Sequence, residues 1–441
     1  MSARINTCVS MKTLIALFIL TAASLSAAPP PLIDRLNDEH ARGQNQWIYN
    51  DFQKAFAEAK RTGKPIFVTF RCVPCKECKA FDAEVAQNSK VIRELAAKHF
   101  ISLRQVEMKG VDLSLFQFDY DLNWAAIFMN ADGTIYSRYG TQSEAGADAY
   151  NSVESLEKTM RRVLTLHANA ANYKKYLADK RGKPKSYKTA MEMPGLENKE
   201  QYRKATQVNN CIHCHNIHDA ENHQLHLEGK MTNDKLWRYP LPKNIGLVID
   251  PKDGLKISRV IKGSPAETSG LKAGQSIAYM NDQLILSIAD IQWVLHHLPN
   301  TSTQIRIRPW NSSREHILRT RVGWKRTDIS WRGSLWNLHP RLRVYMPSAK
   351  PNELKKLKLP AGQHALKVQW INNGSAEGQA ALKAGLKLND FIIAMAGKPF
   401  LKAMDHDKFN ALVKLNYKSG QKLPLTLIRN GKRIEFQWPL Q

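Results

Sequence analysis

The chain has 441 residues, more than one ordinary core absorbs, and the length suggests about three domains. Its apolar fraction of 43% supports globular folding and argues against a disordered chain. A formal net charge of +26, from 65 Lys/Arg against 39 Asp/Glu, implies acidic partners or a solvated basic face, and residues 338–441 alone hold 18 Lys/Arg against 6 Asp/Glu.

Residues 1–28 read as a secretory signal peptide. Lys12 gives a basic start, Leu14 to Ala23 an apolar core, and Ser24-Leu25-Ser26-Ala27-Ala28 a small-residue cleavage site before Pro29-Pro30. The apolar run is short for a membrane span and no later stretch reaches that length, so a periplasmic or secreted bacterial protein is expected, with a retained signal anchor as the alternative. Cys8 leaves with the signal, and five of the six cysteines remain, an odd number for an oxidising compartment. Export argues against nucleic acid as the acidic partner and leaves anionic lipid, cell-wall polymer or an acidic protein.

Residues 29–165 carry an alternating α/β pattern. Ile48, Phe52, Ala55, Phe56 and Ala59 fall at helical spacing and predict a first helix. Ile66 to Phe70 is a short apolar strand, Ser89 to Phe100 a helix with Val91, Leu95 and Ala96 inward, and Ile101 to Met108 a strand. Ala125 to Met129 and Ile135 to Tyr139 read as paired strands joined at Asp132-Gly133, and Ser155 to Leu177 as one long closing helix.

Between the strand at Ile66–Phe70 and the helix-forming run from Lys79 stand Cys72, Cys75 and Cys78. At a strand end and helix start, unpaired N–H groups and the helix dipole stabilise a thiolate, so Cys75 is the expected nucleophile and Cys78 the resolving thiol. Cys72 makes a second, overlapping Cys-x-x-Cys. It is read as a rival disulfide partner for Cys75 or as the third thiolate of a soft-metal site suited to Cu(I). A purely structural disulfide is the bland alternative. The stretch resembles the thioredoxin-like superfamily, with Phe70 five residues before Cys75 as the family has it. It departs at Thr69 (a buried acid in thioredoxins), at Pro74 (Trp) and at Asn123-Trp124-Ala125-Ala126, where the family carries its cis-proline loop.

Residues 166–237 form a linker with few strand-like runs. Cys211-Ile212-His213-Cys214-His215 has the Cys-x-x-Cys-His form of c-type haem attachment: two thioethers from Cys211 and Cys214, and His215 as iron ligand. Five of the 14 histidines lie between His213 and His226. His223, His226 and Met231 are candidates for a sixth iron ligand, while His218 stands too near His215 to reach the opposite face. Zinc or another metal held by the cysteines with His215, His223 or His226 is the rival reading, and a simple disulfide the plain one. The segment's own apolar content is thin, so its fold is expected to depend on a cofactor or on docking to its neighbours.

The remainder repeats itself. Gly263-Ser264-Pro265-Ala266 through Gly270-Leu271-Lys272-Ala273-Gly274 matches Gly374-Ser375-Ala376-Glu377 through Gly385-Leu386-Lys387-Leu388-Asn389, with Gly270 and Gly385 115 residues apart. Both copies, residues 238–325 and 326–441, resemble PDZ domains of the kind attached to periplasmic serine proteases, the second with Asn389 where the pattern has Gly. The resemblance implies peptide capture on a loop of backbone N–H groups, at Ile245, Gly246 and Leu247 in the first copy and near Pro340-Arg341-Leu342-Arg343 in the second. Ser287-Ile288-Ala289-Asp290 has capping-box form at the start of the first pocket helix. Packing of each unit against the same chain, without free peptide, is the alternative. No Ser/His/Asp arrangement with a protease-like setting occurs.

The expected fold class is therefore multi-domain: a thioredoxin-like α/β sandwich, a small irregular or helical CxxCH segment, and two mainly-β PDZ-like units, as in bacterial proteins of thioredoxin-plus-PDZ architecture, which this chain resembles. The expected function is an exported thiol-disulfide redox protein with haem c and PDZ-mediated partner binding. The alternatives are a non-catalytic scaffold or sensor with a structural metal, and a copper-handling protein.

Overall fold

Asp51 starts the first helix of the N-terminal unit by accepting a 2.9 Å hydrogen bond from the Lys54 amide, and Gly63 ends it in the left-handed conformation, so helix α1 runs Phe52–Thr62. This computed structural model describes residues 32–36, 38, 47–71, 81–204 and 210–441. The signal peptide with Cys8, and the segment with Cys72, Cys75 and Cys78, lie outside the described residues. Ile48, placed by periodicity on the first helix, instead pairs with Leu103 in strand β1 (Ile48–Tyr49), because Asn50 turns left-handed ahead of the Asp51 cap.

A five-stranded sheet follows, in the order β1, β3 (Ile101–Gln105), β2 (Ile66–Phe70), β4 (Ala125–Met129), β5 (Ile135–Tyr139). The first three strands are parallel and the last two antiparallel. Every residue of β2, β4 and β5 is buried, as expected for a sheet covered on both faces. The period of two then divides the side chains: Ile66, Val68 and Phe70 join one apolar cluster, and Phe67 joins the other. Helix α2 (Lys90–His99), capped by Ser89, buries Ile92, Leu95 and Ala96, while Val91 is exposed; a start at Lys90 rotates Ile92 inward in its place. The closing helix is broken at Asn169 into α3 (Val153–Ala168) and a second helix, Ala170–Leu177.

The linker does not stand apart. Ala190, Met193, Leu196, Ile212, Ile217 and Ala220 enter the cluster on one sheet face, beside Ala55 and Ala59 of α1. Helix α4 (His215–Leu227) thus takes its apolar support from the sheet, which answers for the segment's thin core of its own. On the opposite face, α2 and α3 share their cluster with Leu284 and Leu286 from the next unit.

Two β-rich units complete the chain and share one element order. The first has the pair β6 (Leu247–Ile249) and β7 (Ile257–Val260). It also has a sheet of β9 (Gln283–Leu284), β8 (Ile277–Met280), β10 (Gln304–Pro309) and β11 (His316–Arg319), with α5 (Ile288–His297) between β9 and β10. The second pairs β12 (Val344–Tyr345) with β14 (Trp370–Ile371). It carries α6 (Ala376–Lys383) and α7 (His406–Asn416) around a sheet of β13 (Leu366–Lys367), β15 (Phe391–Met395), β17 (Lys422–Arg429) and β18 (Lys432–Pro439), with β16 (Lys398–Pro399) on β15. The repeat is visible in the backbone. Gly274 at φ 90° has its counterpart in Asn389 at φ 67°, asparagine being among the few residues with a side chain that tolerate this region.

Helix α5 closes the β5 edge of the five-stranded sheet. Ser287 accepts from the Asp290 amide as a capping residue should, but the Asp290 carboxylate turns outward. It accepts from Ser137 Oγ (2.8 Å), the Arg138 amide (3.1 Å) and the Leu286 amide (3.0 Å), and lies 2.8 Å from Lys180 Nζ. The Arg138 guanidinium lies 3.4 Å from the centre of the Trp293 ring. Asp290→Ala should therefore leave the buried Lys180 ammonium without its carboxylate and cost on the order of 3–5 kcal/mol, read as a lowered urea midpoint. The double variant Asp290→Ala/Lys180→Met should regain part of that loss; a single variant with the wild-type midpoint would show that this contact does not hold the units together.

Candidate functional site

The carboxyl ends of the parallel strands β2 and β3 carry the chain's concentration of chemistry. β2 ends at Phe70 and helical backbone is in place from Phe81, so the described residues frame the cysteine segment on both sides. The frame is held by buried charge. Asp82 Oδ2 accepts from Arg71 Nε (2.8 Å), and its Oδ1 accepts from Arg104 Nη1 (2.6 Å) and Trp124 Nε1 (3.0 Å). Arg104 also donates to Asp38 Oδ1 at 3.2 Å and lies 4.4 Å from the centre of the Trp47 ring, and Tyr49 donates to Asp38 Oδ2 at 3.0 Å. Burial pushes the Asp82 carboxyl up, but Arg104 and Arg71 together bring it below the ordinary range, so it stays ionised. Asp38, with burial outweighing Arg104, is raised.

The position at which the resemblance expects a buried acid is empty of charge. Thr69 is buried, pairs in register with Arg104 and Ala126, and its hydroxyl has no hydrogen-bond partner. The buried carboxylate of this end of the sheet is Asp82, four residues after Cys78. Trp124, in the loop where the family carries its cis-proline, packs edge-on against Phe81 at 5.0 Å, and no peptide from Asn123 to Ala126 is cis. Gly140, at φ 117°, allows that loop to close: a Cβ there would stand 2.6 Å from the Trp124 carbonyl. Arg71, Asp82 and Arg104 escaped the sequence reading, which placed Trp124 only in the loop. The available signal was an arginine in the middle of an otherwise strand-like Ile-Ser-Leu-Arg-Gln run.

The Cys-x-x-Cys-His motif docks at the same end of the sheet. The Arg71 amide donates to Gln105 O, the Met108 amide donates to Ile212 O at 3.0 Å, and Cys211 Sγ lies 3.8 Å from the Val106 carbonyl oxygen. Burial pushes the Cys211 thiol up to about 11, away from thiolate character. Cys214 occupies the position preceding α4 and is partly exposed. His215 opens the helix, with Nδ1 3.3 Å from Asp219 Oδ2 and its ring close enough to Gly333 that a Cβ there would sit 3.3 Å away.

The remaining helix histidines go to separate neighbours. His218 is buried with Nδ1 3.0 Å from Asp121 Oδ2, His223 Nδ1 lies 3.1 Å from Gly195 O, and His226 stacks on His339 at 4.3 Å. At 1.5 Å of rise per residue, His215 and His226 stand roughly 16 Å apart along the axis, so one ion cannot join both. Among the described residues, the group whose ligand atoms converge within 4.8 Å is Asp119, Asp121 and His218, and it already holds a cation. Arg332 donates to Asp119 at 2.7 and 2.9 Å and to Asp121 at 2.9 Å, while Ser334 supplies its amide and hydroxyl to Asp121.

In the first β-rich unit, Ile245, Gly246 and Leu247 are buried. The Gly246 amide donates to Lys243 O, its carbonyl accepts from the Ile261 amide at 2.8 Å, and a Cβ at this φ of 92° would meet Ser264 Oγ at 2.0 Å. The second unit is more open. A cavity of about 590 Å³ between the end of β12 and the start of α7 is lined by Tyr345, Pro347, Ser348, His406 and Trp336, with Trp336 54% and Tyr345 47% exposed.

The chain is 22% identical over 191 residues to a protein described as "Probable periplasmic serine endoprotease DegP-like" from Marinomonas sp. (strain MWYL1), a match covering 43% of this chain and 38% of that relative. The chain thus matches well under half the length of that protein. Residues 47–131 match the thioredoxin-like family, and with the sheet order and flanking helices described above they constitute a thioredoxin-like domain.

Proposed function

We propose that the chain is an exported thiol-disulfide oxidoreductase whose C-terminal units recruit the partner it acts on. The thioredoxin-like domain, with its β2 end and Asp82 frame around the Cys72–Cys78 segment, carries this reading. The Cys75 thiolate attacks one sulfur of a partner disulfide, forming a mixed disulfide and displacing the partner's other sulfur as a thiolate. The Cys78 thiolate then attacks Cys75 and releases the second partner sulfur. Two electrons reach the partner, and Cys75–Cys78 ends oxidised. Because Asp82 is held ionised by two arginines, it is not the proton store of this cycle, and protons exchange with solvent. Cys75→Ser should lower the rate of insulin disulfide reduction at least 100-fold with the fold intact by circular dichroism. Wild-type protein without such activity sinks the reading in favour of a non-catalytic scaffold.

Partner capture belongs to the second β-rich unit. Its β12–α7 groove presents exposed Trp336 and Tyr345 beside His406, whereas helix α5 of the first unit is already committed to β5. An extended peptide would add beside β12, in the PDZ manner, with side chains in the aromatic groove. In full-length protein, Tyr345→Ala combined with His406→Ala should weaken binding to an array of free C-terminal peptides at least 10-fold by fluorescence anisotropy. Unchanged binding would move the capture site elsewhere.

A second reading, favoured by the His215–Asp219 contact, gives Cys211, Cys214 and His215 to haem c. A carboxylate on Nδ1 fixes the imidazole tautomer that leaves Nε2 for a metal. Such a group would supply one-electron transfer. The buried Cys211 thiol requires attachment before the segment closes onto the sheet. Protein from a host that matures c-type cytochromes should then show Soret and α bands that resist acid-acetone extraction and are lost in Cys214→Ala. A spectrum without them leaves zinc or a plain dithiol.

A further inference from the structure

Helix α4, the loop around Met193, and the first β-rich unit enclose a cavity of about 530 Å³, the size of pockets that bury small organic ligands. It lies along the C-terminal half of α4, away from Cys211, Cys214 and His215, and no part of the thiol chemistry uses it. Its wall divides into an apolar part, with Met193, Pro194, Leu225 and Trp237, and a charged part.

The charged part has more cations than anions. Lys185, Lys235, Arg238 and Lys325 face Glu221 and Asp234. Glu221 is already claimed by Lys185 at 2.9 Å and Arg238 at 3.6 Å, which hold its carboxyl low against burial, and Asp234 accepts from Asn300 at 2.9 Å. Lys325 is the exception. Its side chain is almost fully buried, its ammonium donates to the His296 carbonyl at 2.7 Å, and among the described residues no carboxylate lies within ion-pairing distance. Burial lowers its pKa to about 8. A buried cation met by a carbonyl dipole, by the Trp324 ring at 5.6 Å and by Asp234 only beyond ion-pairing distance is costly, and an anion in direct contact would offset that cost. Next to it, His296 accepts the Tyr239 amide at Nδ1, which places its proton on Nε2 as a further donor.

We infer that this cavity binds a small amphipathic monoanion, with an acid headgroup at Lys325 and Arg238 and an apolar body against Trp237, Met193 and Leu225. A small inorganic anion would leave the apolar wall uncovered, and a neutral amphiphile would leave Lys325 without a direct anionic contact. The inference is independent of the thiol reading.

Calorimetric titration of the full-length protein with decanoate, decanol and inorganic phosphate tests it. Decanoate should bind at least 10-fold tighter than either of the others. K325M should weaken decanoate at least 10-fold, and L225W, which fills the apolar part without touching a charge, should do the same. Absence of decanoate binding, decanol or phosphate binding as tightly as decanoate, or full affinity in either folded variant would overturn the proposal. If K325M does not fold, L225W alone decides it.

Discussion

One guanidinium ties four parts of the chain together. Arg332, near the start of the second β-rich unit, donates to Asp119 and Asp121 of the thioredoxin-like domain and to the Arg238 carbonyl at the start of the first β-rich unit, and the same Asp121 accepts at His218 of α4 in the linker. Burial opposes all these charges, but the guanidinium and His218 hold Asp121 deeply ionised, and the two aspartates raise Arg332 in turn. A buried network of this kind contributes little net stability compared with apolar packing of the same volume. What it supplies is geometry: a planar fork satisfied bidentately by Asp119 leaves a single orientation for the segment from Ser330 to Ser334. A small apolar cluster of Leu236, Trp237, Ile329, Leu335, Leu338 and Ala411 then packs beneath it and brings the second unit against the linker.

That constraint explains why the linker has structure without a core. Its apolar residues are shared out, Ile212 and Ile217 to the sheet and Leu236 and Trp237 to the Arg332 segment, so no window of its sequence looks like a domain. Local signals were legible where local physics decides. The strands at Ala125–Met129 and Ile135–Tyr139, the Ser287 cap and the internal repeat all follow from alternation, capping and turn chemistry. They failed where a distant partner decides. Ile48 became a strand because β3 offered an edge. Asp290 satisfied only half of its capping box because β5, some 150 residues away, presented an amide and a hydroxyl. The buried Asp82 carboxylate was missed for the same reason: Asp82 is an ordinary helix residue until Arg71, Arg104 and Trp124 converge on it.

The placement of the Cys-x-x-Cys-His motif bears on how the two chemistries relate. Strands β2 and β3 are parallel neighbours, and Arg71, the residue that leads into the cysteine segment, pairs its amide with Gln105. Cys211 abuts Val106, one residue further along β3, so the buried thiol of the linker motif sits at the same strand ends as the entrance to the thiol segment. The carboxyl ends of parallel strands are where open α/β sheets assemble their sites, because the strand amides and carbonyls there have no further partners in the sheet. Here the linker supplies the missing partners: the Met108 amide, just past β3, is taken by Ile212. The motif, expected in a linker that leans on a cofactor or on its neighbours, packs on the thioredoxin-like sheet. Cys211 and Arg71 thus stand at the same sheet end, where Asp82 joins Arg71 to Arg104 and Trp124.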